Sequence, residues 1–393
     1  MTKRKICMIV LNTFVNDMRV IKEASTLAQH DTEVAVLAVH EEGLAREESL
    51  CGFTVHRMAS KGLRLFTKRP LPLTRYFGLV LKGVCLGVRM RADVYHCHDL
   101  KALPIGYLIC RFRRAKLIYD SHELWSDSAY RLAHSRVRFW LARKVEHFLV
   151  RRVDSIITVS NSIADYIVQQ DGTARPIVIR NVPYLQKIQR TNLLRESLGL
   201  VADERKIVLY QGGIFQGRGL AEVIRAMEHV ENAILILMGD GPLREPLKGL
   251  CHELQLSDRV FFHEAVPPQE LLRYTAGADV GVAPTQNVSL SYYFSLPNKL
   301  FEYLAAGLPV AVSNFPEMAP IVTRYKVGEL FDPEDPTSIA EAINSILVDP
   351  RKYTIYQKNI EMAIEENHWG KEQERLLELY EGLVGAAKSR WRA

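Results

Sequence analysis

Cysteine is sparse and unpatterned in this 393-residue chain. The six cysteines, at 7, 51, 85, 97, 110 and 251, include no C-x-x-C pair, and several fall inside apolar, strand-like runs. That argues against a disulfide framework, and they read as reduced core residues of a cytosolic protein. Long apolar runs are missing too. The best candidate, residues 77–88, is interrupted by Lys82 and falls short of the roughly 18 residues a spanning helix needs. The N-terminus starts basic, but it has only a strand-length apolar run and no small-residue cleavage site, so no signal peptide is expected. Acidic residues are absent from Ser49 to Ala92.

What is present is a soluble globular balance, 48% hydrophobic and 24% charged, with enough chain for two domains. Net charge is only +6, but residues 1–185 hold 29 Lys/Arg against 17 Asp/Glu, and the remainder 22 against 28. The acid-free window contributes Arg57, Lys61, Arg64, Lys68, Arg69, Arg75, Lys82, Arg89 and Arg91 among Leu, Phe, Val and Tyr. Such a surface fits an anionic membrane or an anionic, lipid-linked acceptor, and a solvated basic face fits it equally. A nucleic-acid partner is not expected, because the basic residues come without a recognition module.

Apolar strand runs alternate with helical patterns along the chain. Residues 5–11 read as a strand buried on both faces, 18–29 as a helix with Val20, Ile21, Ala24, Leu27 and Ala28 at helical spacing, and 34–39 as the next strand. This βαβ alternation predicts an α/β fold with doubly wound parallel sheets, whose ligands lie at the carboxyl ends of the strands. Two such ends carry chemistry in the first half: one empties at His98-Asp99, the next presents Asp120, His122 and Glu123. His96 and His98 alternate onto one strand face and could bind a metal, but no third ligand is evident nearby, so no metal is expected. Residues 184–204 turn polar and irregular, as a linker would.

In the second half, Gln211-Gly-Gly-Ile-Phe-Gln-Gly-Arg-Gly follows a strand. Its glycines would let backbone approach a pyrophosphate, and Arg218 could neutralise it, although such turns are often merely tight. Leu-Pro-Asn-Lys-Leu-Phe-Glu-Tyr-Leu-Ala-Ala-Gly-Leu-Pro-Val-Ala-Val, from 296 to 312, reads as a loop, a helix capped by Asn298, a glycine stop and a buried strand. The helix start with Lys299 is a ready phosphate site, and Glu302 one turn on suits a ribose diol. An ordinary amphipathic helix with one exposed Glu is the other reading.

That stretch resembles the nucleotide-sugar signature of family 4 glycosyltransferases of the GT-B fold, in the branch reading N-K-L-F-E-Y-L-A-A-G-x-P-V. The segments Asp17-x-Arg19-Val20-x-x-Glu23-Ala24, Tyr119-Asp-Ser-His-Glu123, Val159-Ser160, Asn181-Val-Pro183, Gly239-Asp-Gly-Pro242 and Ala278-Asp-Val280 are similar to other pieces of the family in order and spacing. The resemblance implies two Rossmann-like domains facing a cleft: residues 1–184 on the acceptor side, 185–368 binding the nucleotide sugar, and 369–393 as a helix crossing back. It implies a retaining, metal-independent hexosyltransferase without a cofactor, taking a UDP- or GDP-sugar to a glycan or lipid-linked acceptor, cytoplasmic and peripheral on the membrane. It assigns His122 to the reaction centre with Asp120 and Glu123, His98 and Asp99 to the acceptor side, and Gly213, Arg218, Gly241, Val266, Asn298, Lys299, Leu300 and Glu302 to the donor. Three departures accompany it. The first loop, Asn12–Asn16, has no glycine; Gly213 stands where an Arg is common; Phe294 replaces the first of the family's paired glutamates. An epimerase of the same fold, or a non-catalytic membrane-surface protein, are the alternative readings.

Overall fold

The computed structural model describes residues 3–58, 73–124 and 136–384. They belong to two compact units, Met1–Arg180 with Glu372–Ala393, and Asn181–Lys371. Each is built on one sheet.

The first sheet runs in the order β3-β4-β2-β1-β5-β6-β7-β8. Its strands are β1 (Arg4–Ile9), β2 (Thr32–Val39), β3 (Glu47–Leu50), β4 (Phe53–Met58), β5 (Val94–His98), β6 (Lys116–Ser121), β7 (Ser155–Thr158) and β8 (Ile177–Val178). All pairs are parallel except the β3–β4 hairpin, which the alternation does not foresee. Its polar edge strand, Glu-Glu-Ser-Leu, has the charge that protects a sheet edge. Because β1 lies between β2 and β5, winding reverses there, and the carboxyl ends of β1 and β5 flank the point where doubly wound sheets bind ligands. His98 and Asp120 are register partners at the ends of β5 and β6.

The second sheet, β11-β10-β9-β12-β13-β14, is parallel throughout. It comprises β9 (Lys206–Gln211), β10 (Ala233–Met238), β11 (Val260–His263), β12 (Val280–Ala283), β13 (Val310–Ser313) and β14 (Gly328–Phe331). Strand β10, Ala-Ile-Leu-Ile-Leu-Met, is buried along its whole length, because helices cover both faces. One core holds Val208, Leu235 and Leu237; the other holds Leu209, Ile234 and Ile236 from the opposite pleat.

Residues 184–204 are not the bare linker that their polarity predicts. Leu194, in a short helix Leu193–Ser197, is fully buried in the second core. The Thr191 hydroxyl donates to the Arg273 carbonyl, which pins the segment to that unit. The last helix, Trp369–Val384, enters the first unit at Glu372. There the Glu372 carboxylate accepts from the Arg180 N–H at 3.0 Å and from its Nε at 2.7 Å. Among the described residues no helix is long and apolar enough to cross a membrane.

Candidate functional site

At the carboxyl ends of β9, β10 and β11 the second unit gathers its predicted donor residues. The Gly213 and Arg218 loop follows β9, Gly241 follows β10, and Val266 follows β11. The first two loops continue the sheet. Gly212 N–H donates to the Met238 carbonyl, and Ile214 N–H to that of Asp240, both at 2.9 Å. A Cβ on Gly239 would lie 2.0 Å from the Gly212 oxygen, and one on Gly241 2.2 Å from the Ile214 oxygen. Only glycine fits this approach, and Gly239 also holds φ at +149°.

Helix Asn298–Ala305 lies against this loop. Pro297, not Asn298, occupies its N-cap, and no side chain caps it. Proline's fixed φ suits that boundary, so Asn298 becomes the first helical residue, with an exposed side chain. The Leu300 side chain is fully buried in the core, and its N–H donates to the Pro297 carbonyl at 3.1 Å. Val266 packs its side chain on the same core.

Two cations meet here. Lys299 Nζ sits 3.6 Å from the centroid of the Tyr210 ring, whose hydroxyl donates to the Gly213 carbonyl at 2.7 Å. Burial, then the nearby Arg218 guanidinium, holds the Lys299 ammonium well below its usual range, with Glu302 opposing. A lysine depressed in this way favours an anion beside it. Arg218 is not the unpacked loop residue that its glycine neighbours imply, because its guanidinium lies 4.9 Å from the centroid of the Tyr292 ring. Glu302 accepts from the Gln211 amide at 2.6 Å, a partner the sequence did not reveal.

The first unit holds a different cluster. Arg19 forks onto Asp120, Nε to Oδ2 at 2.9 Å and Nη2 to Oδ1 at 3.0 Å, while Nη1 donates to the Ile179 carbonyl at 2.8 Å. Glu23, one helical turn after Arg19, lies 3.1 Å from Arg19 Nε. His122 Nε2 is 3.1 Å from Asp120 Oδ2 and 3.3 Å from His98 Nδ1. The His96 and His98 rings stack at 4.3 Å, and His96 Nδ1 meets the Tyr380 hydroxyl at 2.9 Å.

Charges alternate through this cluster. Burial pushes the Asp120 carboxyl up, but Arg19 and His122 outweigh it and hold it well below the carboxylate range. Burial raises Glu23 and lowers His96. Burial also pulls His122 down, but Asp99 and Asp120 overcome this and carry it up to about 9, so it is protonated at neutral pH. Asp99 holds φ at +64°, a strained conformation, with its Oδ1 3.8 Å from His122 Nδ1.

Of the residues assigned to the reaction centre, His122 is 23% exposed and Glu123 is exposed, but Asp120 is fully buried. Asp120 lies behind His122, its Oδ2 3.1 Å from His122 Nε2. His98 is likewise buried behind His122. Ligand atoms of Glu23, His96, His98 and Asp120 lie within 4.8 Å of one another, so the third metal ligand missing near the two histidines in sequence is present in space. Arg19 already supplies positive charge there, and both Asp120 oxygens are engaged by it. Arg19 and Glu23 could have been found as an i, i+4 charge pair on their helix. Tyr380 left no such signal.

Four of the nine cations of the basic window have described side chains. The Arg57 guanidinium is buried, donating to the Thr13, Phe14 and Ala45 carbonyls and to Glu48. Lys82, Arg89 and Arg91 are exposed. Lys61, Arg64, Lys68, Arg69 and the Arg75 side chain lie outside the described residues.

Residues 19–183 match the family model of the glycosyl transferase 4-like domain, and residues 195–362 that of the glycosyl transferases group 1. An uncharacterised glycosyltransferase of Methanocaldococcus jannaschii is 28% identical over 280 residues, covering 65% of this chain and 66% of that protein. The chain spans just under two thirds, 64–66%, of the length of the curated relatives it matches first. Among solved structures, sucrose-phosphate synthase from Thermosynechococcus elongatus superposes with a TM-score of 0.82 at 21% identity, over 98% of this chain and 100% of that one. The Anabaena protein HepE in complex with UDP-glucose gives 0.75 at 17% identity, over 96% and 99%. Matched in both halves and built on the two parallel sheets of the GT-B architecture, the chain belongs to the group 1 glycosyltransferases, with a glycosyltransferase 4-like first half.

Proposed function

We propose that the protein is a retaining, metal-independent hexosyltransferase that uses a UDP- or GDP-sugar. The observation that carries this reading is the convergence of Lys299, Arg218, the glycine-built loop and Glu302 at one helix start. Departure of a nucleoside diphosphate leaves negative charge on its β-phosphate. Lys299, Arg218 and backbone N–H groups would stabilise that charge. Glu302 would accept from the ribose diol. His122, protonated at neutral pH, would donate a hydrogen bond to the sugar or acceptor. Support comes from HepE, which carries UDP-glucose on the same fold. A thermal-shift panel of UDP-, GDP- and ADP-sugars tests it. One nucleotide class should raise the melting temperature, and Glu302→Ala should abolish the shift; no shift with any of them would overturn the assignment.

For the acceptor we propose a lipid-linked molecule presented at an anionic membrane, supported by a face other than the window that the sequence singled out. Helices Asp99–Phe112 and Arg136–Val150 expose Leu108, Leu141, Val145 and Phe148 around an apolar cavity of about 360 Å³, and Phe112 and Trp140 elsewhere on the same two helices. Arg111, Lys144 and Arg152 are exposed beside them. The acids within the two helices are Asp99, half-buried, and Glu146, buried. Apolar anchors among exposed cations fit an anionic interface. Co-sedimentation with phosphatidylglycerol vesicles should exceed that with phosphatidylcholine vesicles and fall in Lys144→Glu with Arg152→Glu. Equal or absent binding would refute it.

A further inference from the structure

Gln211 ends β9 with its side chain only 2% exposed, between two groups that sequence distance hides. Its Nε2 donates to Glu302 Oε2 at 2.6 Å, and its Oε1 accepts from the Thr275 hydroxyl at 2.7 Å. Its own N–H donates to the Tyr303 hydroxyl at 3.0 Å, and that hydroxyl in turn donates to the Val282 carbonyl at 3.1 Å. Thr275 and Tyr303 are fully buried. The amide therefore has no water to turn toward, and its two ends are sorted by chemistry. A carboxylate accepts only, so it takes the NH₂ end and leaves the oxygen for the hydroxyl.

Thr275 adds a constraint. Its hydroxyl has one proton and two carbonyl oxygens at 2.7 Å, those of Gln211 and Leu271. If the amide turned over, NH₂ would donate to that hydroxyl and the threonine proton would go to Leu271. Every group would then be satisfied except Glu302, which would face a carbonyl oxygen and would have to carry a proton. An ionised Glu302 and the observed amide orientation thus require each other.

We propose that Gln211 is a positioning residue for nucleotide binding: it fixes the Glu302 side chain and keeps it an ionised acceptor for a vicinal diol. This rests on the assignment of Glu302 to the ribose. Charged and titratable groups beside Glu302 include Lys299 and Tyr303 of its own helix, with Tyr210 of β9 and Arg218 of the loop next to these. None of them fixes the carboxylate's rotamer through a buried amide.

The test is calorimetry with UDP and GDP and their 2′,3′-dideoxy forms, on the wild type, Gln211→Met and Thr275→Val, with melting temperatures alongside. Wild type should prefer the diol form of its nucleotide roughly tenfold or more. Gln211→Met should lose most of that preference while binding the dideoxy form as wild type does. Thr275→Val, which leaves the buried Gln211 oxygen without its hydroxyl partner and so loosens the amide, should lose part of it. If wild type does not discriminate, the ribose assignment fails first. If wild type discriminates and both variants discriminate equally well, Glu302 needs no positioning and the proposal is overturned. Should Gln211→Met not fold, Thr275→Val decides alone.

Discussion

Replacing Asp120 with asparagine keeps its shape and removes the charge on which Arg19, His98 and His122 converge. Truncating one member of a buried ion pair typically destabilises by about 3–5 kcal/mol, because the other charge is left uncompensated. Glu23, 3.1 Å from Arg19, takes over part of that compensation, so the lower end, ~3 kcal/mol, is expected. The same substitution should shift His122. Its folded pKa of about 9 lies above the ordinary 6.5, so its contribution to stability is complete below pH 6.5 and is lost as pH rises through about 9. At 1.36 kcal/mol per unit that contribution is on the order of 3 kcal/mol at most. In Asp120→Asn the charge and the hydrogen bond of Asp120 no longer raise His122, and the pKa should fall by about one unit or more. Histidine-selective NMR titration gives the pKa directly, and urea denaturation between pH 6 and 9.5 gives the slope, steeper in wild type than in the variant. A wild-type His122 that titrates near 6.5, or identical slopes in both proteins, would refute the reasoning.

Other substitutions separate packing from ligand chemistry. Tyr303→Phe strips the buried acceptor from the Gln211 N–H and should destabilise by ~1–3 kcal/mol in urea denaturation; an unchanged midpoint would show that another group satisfies that N–H. Arg218→Ala loses the Tyr292 contact, worth about 0.5–1 kcal/mol, and should lower sugar transfer far more than stability; retained turnover with a large drop in melting temperature would contradict its phosphate role. Gly241→Ala drives a Cβ into the Ile214 carbonyl and should abolish nucleotide-induced thermal shifts. Gly249→Ala meets nothing within 4 Å inside a helix and should stabilise by roughly 0.5–1 kcal/mol; a reversed order between these two glycines would show that loop spacing is not limiting.

Elements that carry their own pattern were legible in the sequence. The strand Ala233–Met238 is an unbroken apolar run, and the helix Asn298–Ala305 ends within two residues of Gly307, whose φ of +77° ordinary residues avoid. Polar partnerships between distant segments were not legible. Asp120 is joined to Arg19 across 101 residues, and His96 to Tyr380 across 284. No local period encodes such a pairing; it follows from which strand ends and helices the sheet brings together. The cap at Pro297 was missed because Asn is the stronger capping residue by propensity, whereas proline's fixed backbone angle placed the boundary one residue earlier. That the Leu300 side chain faces the core was not legible either, because a signature records which positions recur together, not which of them point inward.

The first unit is discontinuous in the chain, and this orders its assembly in time. Its sheet is complete once residue 180 has been made, yet Tyr380, which faces His96, and Glu372, which holds Arg180, follow only after the whole of the second unit. At synthesis rates of about 5–20 residues per second, the gap is roughly 10–40 s. During that interval His96 is without Tyr380 and Arg180 without the Glu372 carboxylate. A newborn chain thus has to make its middle before it can complete its beginning.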